Sequence, residues 1–195
     1  MRGKVVILWI AAICLILAAA PCAAQTPPNV QGLKMFLKVD EISGESQDTD
    51  HKDWIEVFHY ADGVSQEYNP GWSPASASDA QPACAPVSLF KYIDMSSPKL
   101  REGSATGKHF REVQIEMAFN GVTFFKVKME NVMISIVQAL TPETVCPASL
   151  SSTDANYPQE RVGFLFAKIT YTWISGGSSI TTGYDFAEGK AVAAY

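Results

Sequence analysis

The fold is decided by residues 112–129, which read EVQIEMAFNGVTFFKVKM. Apolar and polar side chains alternate up to an Asn-Gly pair, and the alternation resumes after it. A period of two is typical of a strand with one buried face. Asn120 and Gly121 tolerate the positive φ angles of a two-residue type I′ turn. The stretch therefore predicts a β-hairpin whose apolar positions are Val113, Ile115, Met117, Phe119, Phe125, Val127 and Met129.

Similar patterns extend in both directions from this hairpin. They predict strands at residues 33–39, 54–66 with a break at Asp62 and Gly63, 87–93, 132–140, 161–173, 180–186 and 191–195. In residues 161–173, the alternation places Leu165, Ala167, Ile169, Tyr171 and Trp173 on one face. Polar or proline-containing stretches at residues 44–53, 69–86 and 141–158 read as loops.

One short helix is predicted after residue 96. Ser97 is a good N-cap, Pro98 fits the first helical position, and Gly107 fits the stop. Small residues and Gly103 make this helix marginal without packing, so we expect Leu100 to anchor it. About eight to ten strands with one helix avoid exposed edges by closing into a barrel or packing as a sandwich.

The first 24 residues read as a secretory signal peptide. Arg2 and Lys4 precede an uncharged apolar run at 5–20, and Cys22-Ala23-Ala24 offers a cleavage site. A membrane anchor and lipidation at Cys22 are the alternatives. Residues 25–31 read as a flexible lead-in and 32–195 as one globular domain.

Cleavage would give a secreted or periplasmic product. Losing Arg2 and Lys4 takes the formal net charge from −5 to −7, which gives no electrostatic reason to bind nucleic acid or an anionic membrane. Of the four cysteines, Cys84 and Cys146 remain in the mature chain. In an oxidising compartment they are a candidate disulfide, although two free thiols stay possible.

No catalytic, metal-binding or cofactor-binding constellation stands out in the sequence. His51, His59 and His109 lack metal-ligand spacing and read as surface or strand residues. Glu45, Asp48, Asp50 and Asp53 resemble a calcium loop only loosely, and a solvated acidic loop is favoured. We therefore expect neither an enzyme nor a cofactor.

The strands of the central hairpin also carry charges of opposite sign. Glu112, Glu116, Lys126 and Lys128 occupy its polar positions. We interpret them as cross-strand pairs or as part of an assembly surface.

Several blocks, in order, resemble the Hcp (haemolysin-coregulated protein) family of type VI secretion system tube proteins. Each block is short, and the ordered set extends from about residue 33 to residue 192. The blocks are MFLKVD at 35–40, ISGES at 42–46, KDWIEV at 52–57, GVSQ at 63–66, SPKL at 97–100, GKHF at 107–110, FKVKMENV at 125–132, RVGFLFAKITY at 161–171 and GYDF at 183–186.

The resemblance implies a mainly β fold, with a closed β-barrel of two packed sheets and one short α-helix. It further implies hexameric rings that stack into a tube, the carriage of small effector proteins, and contacts with the secretion apparatus. By family position, loops 44–53 and 69–86 are expected to meet neighbouring subunits. An exported monomeric binding module, which kept the barrel but lost the tube, is the alternative.

Overall fold

The computed structural model describes residues 32–65, 83–140 and 158–192 of the chain. These residues form nine strands and one helix. In chain order they are β1 Leu33–Val39, β2 Ile55–Val57, β3 His59–Ser65, β4 Ala83–Tyr92, α1 Ser97–Thr106, β5 His109–Phe119, β6 Val122–Leu140, β7 Gln159–Ser175, β8 Ser178–Asp185 and β9 Lys190–Val192. The expected mainly β architecture with one short helix is confirmed.

The strands form one antiparallel sheet in the order β2-β1-β5-β6-β7-β4-β3, with β8 and then β9 added beside β7. Its two ends, β2 and β3, are consecutive in the chain and meet at Phe58, whose N–H donates to Phe90 O at 3.0 Å. The sheet must therefore curl round until its ends meet. It differs from the expected barrel in being a single sheet, not two, and no ladder between the described strands closes it.

The two tight hairpins follow from their turn residues. Asn120 and Gly121 have φ angles of 50° and 79°, and Gly176 and Gly177 have φ angles of 57° and 83°. Both positive values match the twist of two-residue hairpins. The predicted central hairpin is therefore confirmed.

A shift in the buried face crosses β5, β6 and β7 at one level. Two residues, not one, separate successive buried positions there, and Asn131 on β6 has a φ of 52°. The register partners on one side of the shift are Val113, Met129 and Ile169. Those on the other side are Phe110, Val132 and Phe166. The shift keeps both rows on the core side of the sheet.

This shift corrects two sequence predictions. Residues 122–140 form one strand where two were expected, because the irregularity at Asn131 bends β6 without ending it. Leu165 and Ile169 do not share a face: Leu165 is 42% exposed, whereas Ile169 is 1% exposed. β4 also begins at Ala83, so the last four residues of the expected 69–86 loop are strand.

The helix is fastened by both packing and charge. Leu100 is fully buried, as expected, and Gly107 ends the helix with a φ of 63°. The helix begins at Ser97 with Ser96 as its N-cap residue, one position earlier than predicted. The buried Lys91 ammonium contacts Ser97 Oγ at 3.2 Å and Glu160 Oε1 at 3.0 Å, which ties the helix start to β4 and β7.

Across the three described ranges, no helix combines the length and apolar character that crossing a bilayer requires. The predicted signal peptide at 1–24 and lead-in at 25–31 lie outside those ranges.

Candidate self-association surface

At one end of the sheet, the face that carries the core extends beyond the core, and its apolar side chains become exposed to solvent. Along β1, Leu37 is fully buried, Met35 is half-buried and Leu33 is 38% exposed. Along β5, burial falls in the same way from Ile115 to Phe119, which is 44% exposed. Alternate residues of a strand share a face, so these side chains belong to the same rows as the core.

The neighbouring strands lose burial at the same end. Ile169 on β7 is buried, Tyr171 is half-buried, and Trp173 is 50% exposed. Register pairs Leu33 with Phe119, Phe119 with Val122, and Trp173 with Ile180. We name Leu33, Phe119, Val122, Trp173 and Ile180 the apolar band.

The apolar band crosses five strands, and two of its residues, Phe119 and Val122, line a shallow depression. Val122 and Ile180 are 69% and 67% exposed, respectively. A cavity of about 540 Å³ lies between the hairpin tips, lined by Phe119, Val122, Thr123, Phe124 and residues 174–177. Within the described chain, no other element covers these side chains. A contiguous apolar surface of this kind marks an interaction site more often than scattered single residues do.

A second exposed apolar corner lies at the opposite end of β7. Ile93 and Met95 are 40% and 58% exposed. Ile93 N–H donates to Pro158 O at 3.0 Å, just before β7 begins, whereas Trp173 lies near the end of that strand. The molecule therefore presents different apolar residues at its two ends.

The 44–53 loop folds back along the outer side of the sheet in an ordered path. Gly44 N–H donates to Asp53 O at 2.8 Å, and Asp53 N–H donates to Ser46 O at 3.0 Å. A Cβ at Gly44 would lie 2.3 Å from Trp54 O, so only glycine fits this close approach. The loop is therefore a built structure whose shape depends on backbone contacts.

One histidine fastens this loop to the sheet. The His51 ring is 3% exposed and stacks on Phe36 with centroids 4.1 Å apart. Its Nδ1 lies 3.1 Å from Asp48 Oδ1 and its Nε2 lies 3.0 Å from Glu116 Oε2. The expectation of a surface or strand histidine is wrong for His51, because the loop itself buries the ring.

The two carboxylates around His51 are held in their charged form. The hydrogen bond with His51 is the main cause that lowers the pKa of Asp48. Burial acts to raise the pKa of Glu116, but hydrogen bonds from Lys126 and His51 outweigh it and lower that pKa. The acidic loop is thus not simply solvated, since Asp48 pairs with a buried ring.

The predicted cross-strand charge pairs are present on the outer side of the hairpin. Lys126 Nζ and Lys128 Nζ each lie 2.8 Å from a carboxylate oxygen, of Glu116 and Glu112 respectively. Glu130 also lies 3.5 Å from Lys168 on β7. These pairs join β5, β6 and β7 on the side away from the core.

The other residues considered from sequence are not brought together. His59 packs edge-on against Phe90, and His109 contacts Asn131. In the part of the chain that the structure describes, no three His, Cys, Asp or Glu side chains are grouped to hold a metal ion. The candidate disulfide stays a prediction, because Cys146 lies outside the described residues.

The chain is similar in sequence to a known family of bacterial secretion proteins. Residues 36–173 match the family described as type VI secretion system effector, Hcp. The protein Hcp1 of Pseudomonas aeruginosa is 29% identical over 107 residues, which make up 53% of this chain and 65% of that protein, so the match spans less than two thirds of the relative.

Two solved structures are similar over most of the chain. Hcp1 of Salmonella typhimurium is 27% identical with a TM-score of 0.67, and the match covers 83% of this chain and 99% of that one. A type VI secretion system effector of Yersinia pestis is 26% identical with a TM-score of 0.60, covering 77% and 98%. This is a family of secreted structural proteins, not of enzymes. From its curled sheet and the match over residues 36–173, the chain belongs to the Hcp family of type VI secretion systems.

Proposed function

We propose that this chain is a structural, non-enzymatic tube component whose copies form hexameric rings that stack and carry effector proteins. The observation that carries the proposal is the apolar band, in which large apolar side chains at the end of the core are exposed among the described residues. Removing such side chains from water contributes roughly 25 cal/mol per Å² buried. A second copy of the chain is the proposed cover.

A ring forms when one surface of each subunit binds a different surface of the next subunit, and when the rotation between neighbours brings the last subunit back to the first. Ring formation therefore needs two different surfaces on one subunit. The apolar band and the Ile93–Met95 corner meet this requirement. They lie at opposite ends of β7 and consist of different residues. By family position, the 44–53 loop and residues 69–86 are proposed to add contacts with neighbouring subunits.

The location of the tube follows from the proposed leader. Removal of residues 1–24 as a signal peptide would deliver the mature chain, beginning at Gln25, to the periplasm or the medium. The proposed partners are then further copies of the chain, effector proteins and components of the secretion apparatus.

Sedimentation of residues 25–195 over a wide concentration range tests the proposal. The unaltered chain should sediment as a multimer, whereas Val122→Asp and Ile180→Asp should sediment as monomers. Val64→Asp is the matched control, because Val64 is 55% exposed on β3, outside the apolar band. A monomer at every concentration would favour the alternative, an exported monomeric binding module.

A further inference from the structure

Both ring nitrogens of His51 face carboxylates. Both ring nitrogens lie within hydrogen-bond distance of a carboxylate oxygen, Asp48 Oδ1 at 3.1 Å and Glu116 Oε2 at 3.0 Å. An ionised carboxylate only accepts hydrogen bonds, and a neutral imidazole has one N–H. Only the doubly protonated ring can donate to both carboxylates at once.

Charged and aromatic side chains from the loop and from two strands surround the His51 ring. On its own loop the ring faces Asp48, which also accepts from Lys34 of β1 at 3.4 Å. On β5 it faces Glu116, which also accepts from Lys126 of β6 at 2.8 Å. Phe36 lies against one side and Trp54 lies edge-on with centroids 5.0 Å apart.

A third lysine in this region is directed at an aromatic ring and not at a carboxylate. Lys38 of β1 lies over the Trp54 ring, 5.5 Å from its centroid. Lys34 and Lys126, which pair with Asp48 and Glu116, have partly exposed side chains. Neither lysine bridges the two carboxylates as the His51 ring does. The ring is the buried link between loop and sheet.

We propose that the 44–53 loop is latched to the sheet by a protonated His51 shared between Asp48 and Glu116, and that loss of the second ring proton unlatches it. The inference rests on the proposed function for its consequence: unlatching would weaken subunit contacts made through this loop. The latch itself is a property of a single subunit.

The latch loses hydrogen bonds at both high and low pH. When the ring gives up its second proton to solvent, one nitrogen presents a lone pair to a carboxylate oxygen, and that hydrogen bond is lost. As pH falls far enough to protonate Asp48 and Glu116, whose pKa values are lowered, the partners of the imidazolium are lost instead. The loop is tightest between these two limits.

Amide hydrogen exchange tests the latch directly. The reporters are the N–H groups of Gly44, Ser46 and Asp53, which form the loop hydrogen bonds. Work in a Val122→Asp background keeps assembly out of the measurement. After correction for intrinsic rates, exchange of these amides should speed up about tenfold or more once the ring has lost its second proton, while amides of β6 stay protected.

Two variants separate a proton latch from a merely structural contact. In Glu116→Gln the amide can donate to a neutral ring, so loop protection should persist at high pH. In His51→Gln the loop amides should exchange fast at every pH. His109→Gln, which removes another imidazole, is the matched control and should behave as the unaltered chain does.

Ring ¹⁵N spectra of the unaltered chain give a readout that needs no variant at His51. Both nitrogens of His51 should carry protons while the loop is protected. Protection that does not change with pH, a singly protonated ring in the protected loop, or unaltered pH dependence in Glu116→Gln would overturn the latch. Sedimentation of the unaltered chain, measured separately, decides the proposed function.

Discussion

The buried ammonium of Lys91 lies 3.0 Å from Oε1 of Glu160, and neither side chain is exposed to solvent. Lys91 also donates to Asp94 Oδ1 at 2.7 Å, and Arg101 contacts the second carboxylate oxygen of Glu160 at 2.8 Å. Every charge in this group therefore has a partner, which is what a buried ion pair requires. The group joins the start of the helix to two strands.

Lys91→Met should destabilise the fold by about 3–5 kcal/mol, because it removes the fully buried cation that contacts the Glu160 carboxylate. The double change Lys91→Met with Glu160→Gln should cost less than the single change. Urea unfolding measures both. Lys99→Met is the control, since Lys99 is exposed and should change stability by less than about 0.5 kcal/mol. Equal stability of Lys91→Met and the control would contradict the role given to this pair.

Leu100 is the apolar anchor of the helix and is fully buried. Leu100→Ala should reduce the free energy of unfolding by about 2–5 kcal/mol, since it removes buried methyl groups and leaves a cavity. Thermal and urea unfolding both report the change. An unchanged melting temperature would mean that the helix does not pack where the structure has it.

The pKa of Glu112 is lowered, chiefly by its hydrogen bond with Lys128, despite some burial. Its folded pKa therefore lies below its unfolded value, and the unfolded chain binds the proton more readily. The stabilisation is fully present above the unfolded pKa and is lost as pH falls through the folded pKa. A stability profile at acid pH should be flatter in Glu112→Gln than in the unaltered chain, whereas Glu188→Gln, at an exposed site, is the control. Equal slopes would contradict the assignment.

Gly44→Ala should loosen the 44–53 loop, because the added Cβ would fall 2.3 Å from Trp54 O. Relief of such an overlap costs typically about 1–3 kcal/mol. Amide exchange at Ser46 and Asp53 measures it. Gly63→Ala is a matched control, since the nearest atom to its Cβ, in Ala85, is 3.6 Å away. Comparable exchange in both variants would count against the close approach.

The candidate disulfide has its own test. If Cys84 and Cys146 are bridged, the bridge should stabilise the chain by roughly 3–4 kcal/mol, and Cys84→Ser should remove that contribution. Electrophoresis with and without reductant reads out the bond. Identical migration in both conditions would rule the bridge out.

Local signals sufficed for the central hairpin and the helix. Asn120-Gly121 dictates its own turn, and Gly107 ends the helix, because both effects depend on a few adjacent residues. The polar stretch of 44–53 likewise marks a loop. Such features need no knowledge of distant partners.

Long-range relationships were beyond the sequence pattern. His51 is 65 residues from Glu116, and Lys91 is 69 residues from Glu160, so their burial depends on strand order and register. The irregularity at Asn131 also defeated the period-two reading of β7, because the buried face shifts by one residue at this level on β5, β6 and β7 together. One feature of the sequence indicated the apolar band: large apolar residues lie close to the turns of two hairpins. Whether those side chains are exposed depends on where the core ends, which the sequence pattern does not show.

Self-association through the apolar band is the central claim, and electron microscopy of residues 25–195 tests it most directly. We predict six-fold rings and short stacks for the unaltered chain and for Val64→Asp, and isolated particles of single-subunit size for Val122→Asp. Isolated subunits in every sample, or rings that persist in Val122→Asp, would contradict it.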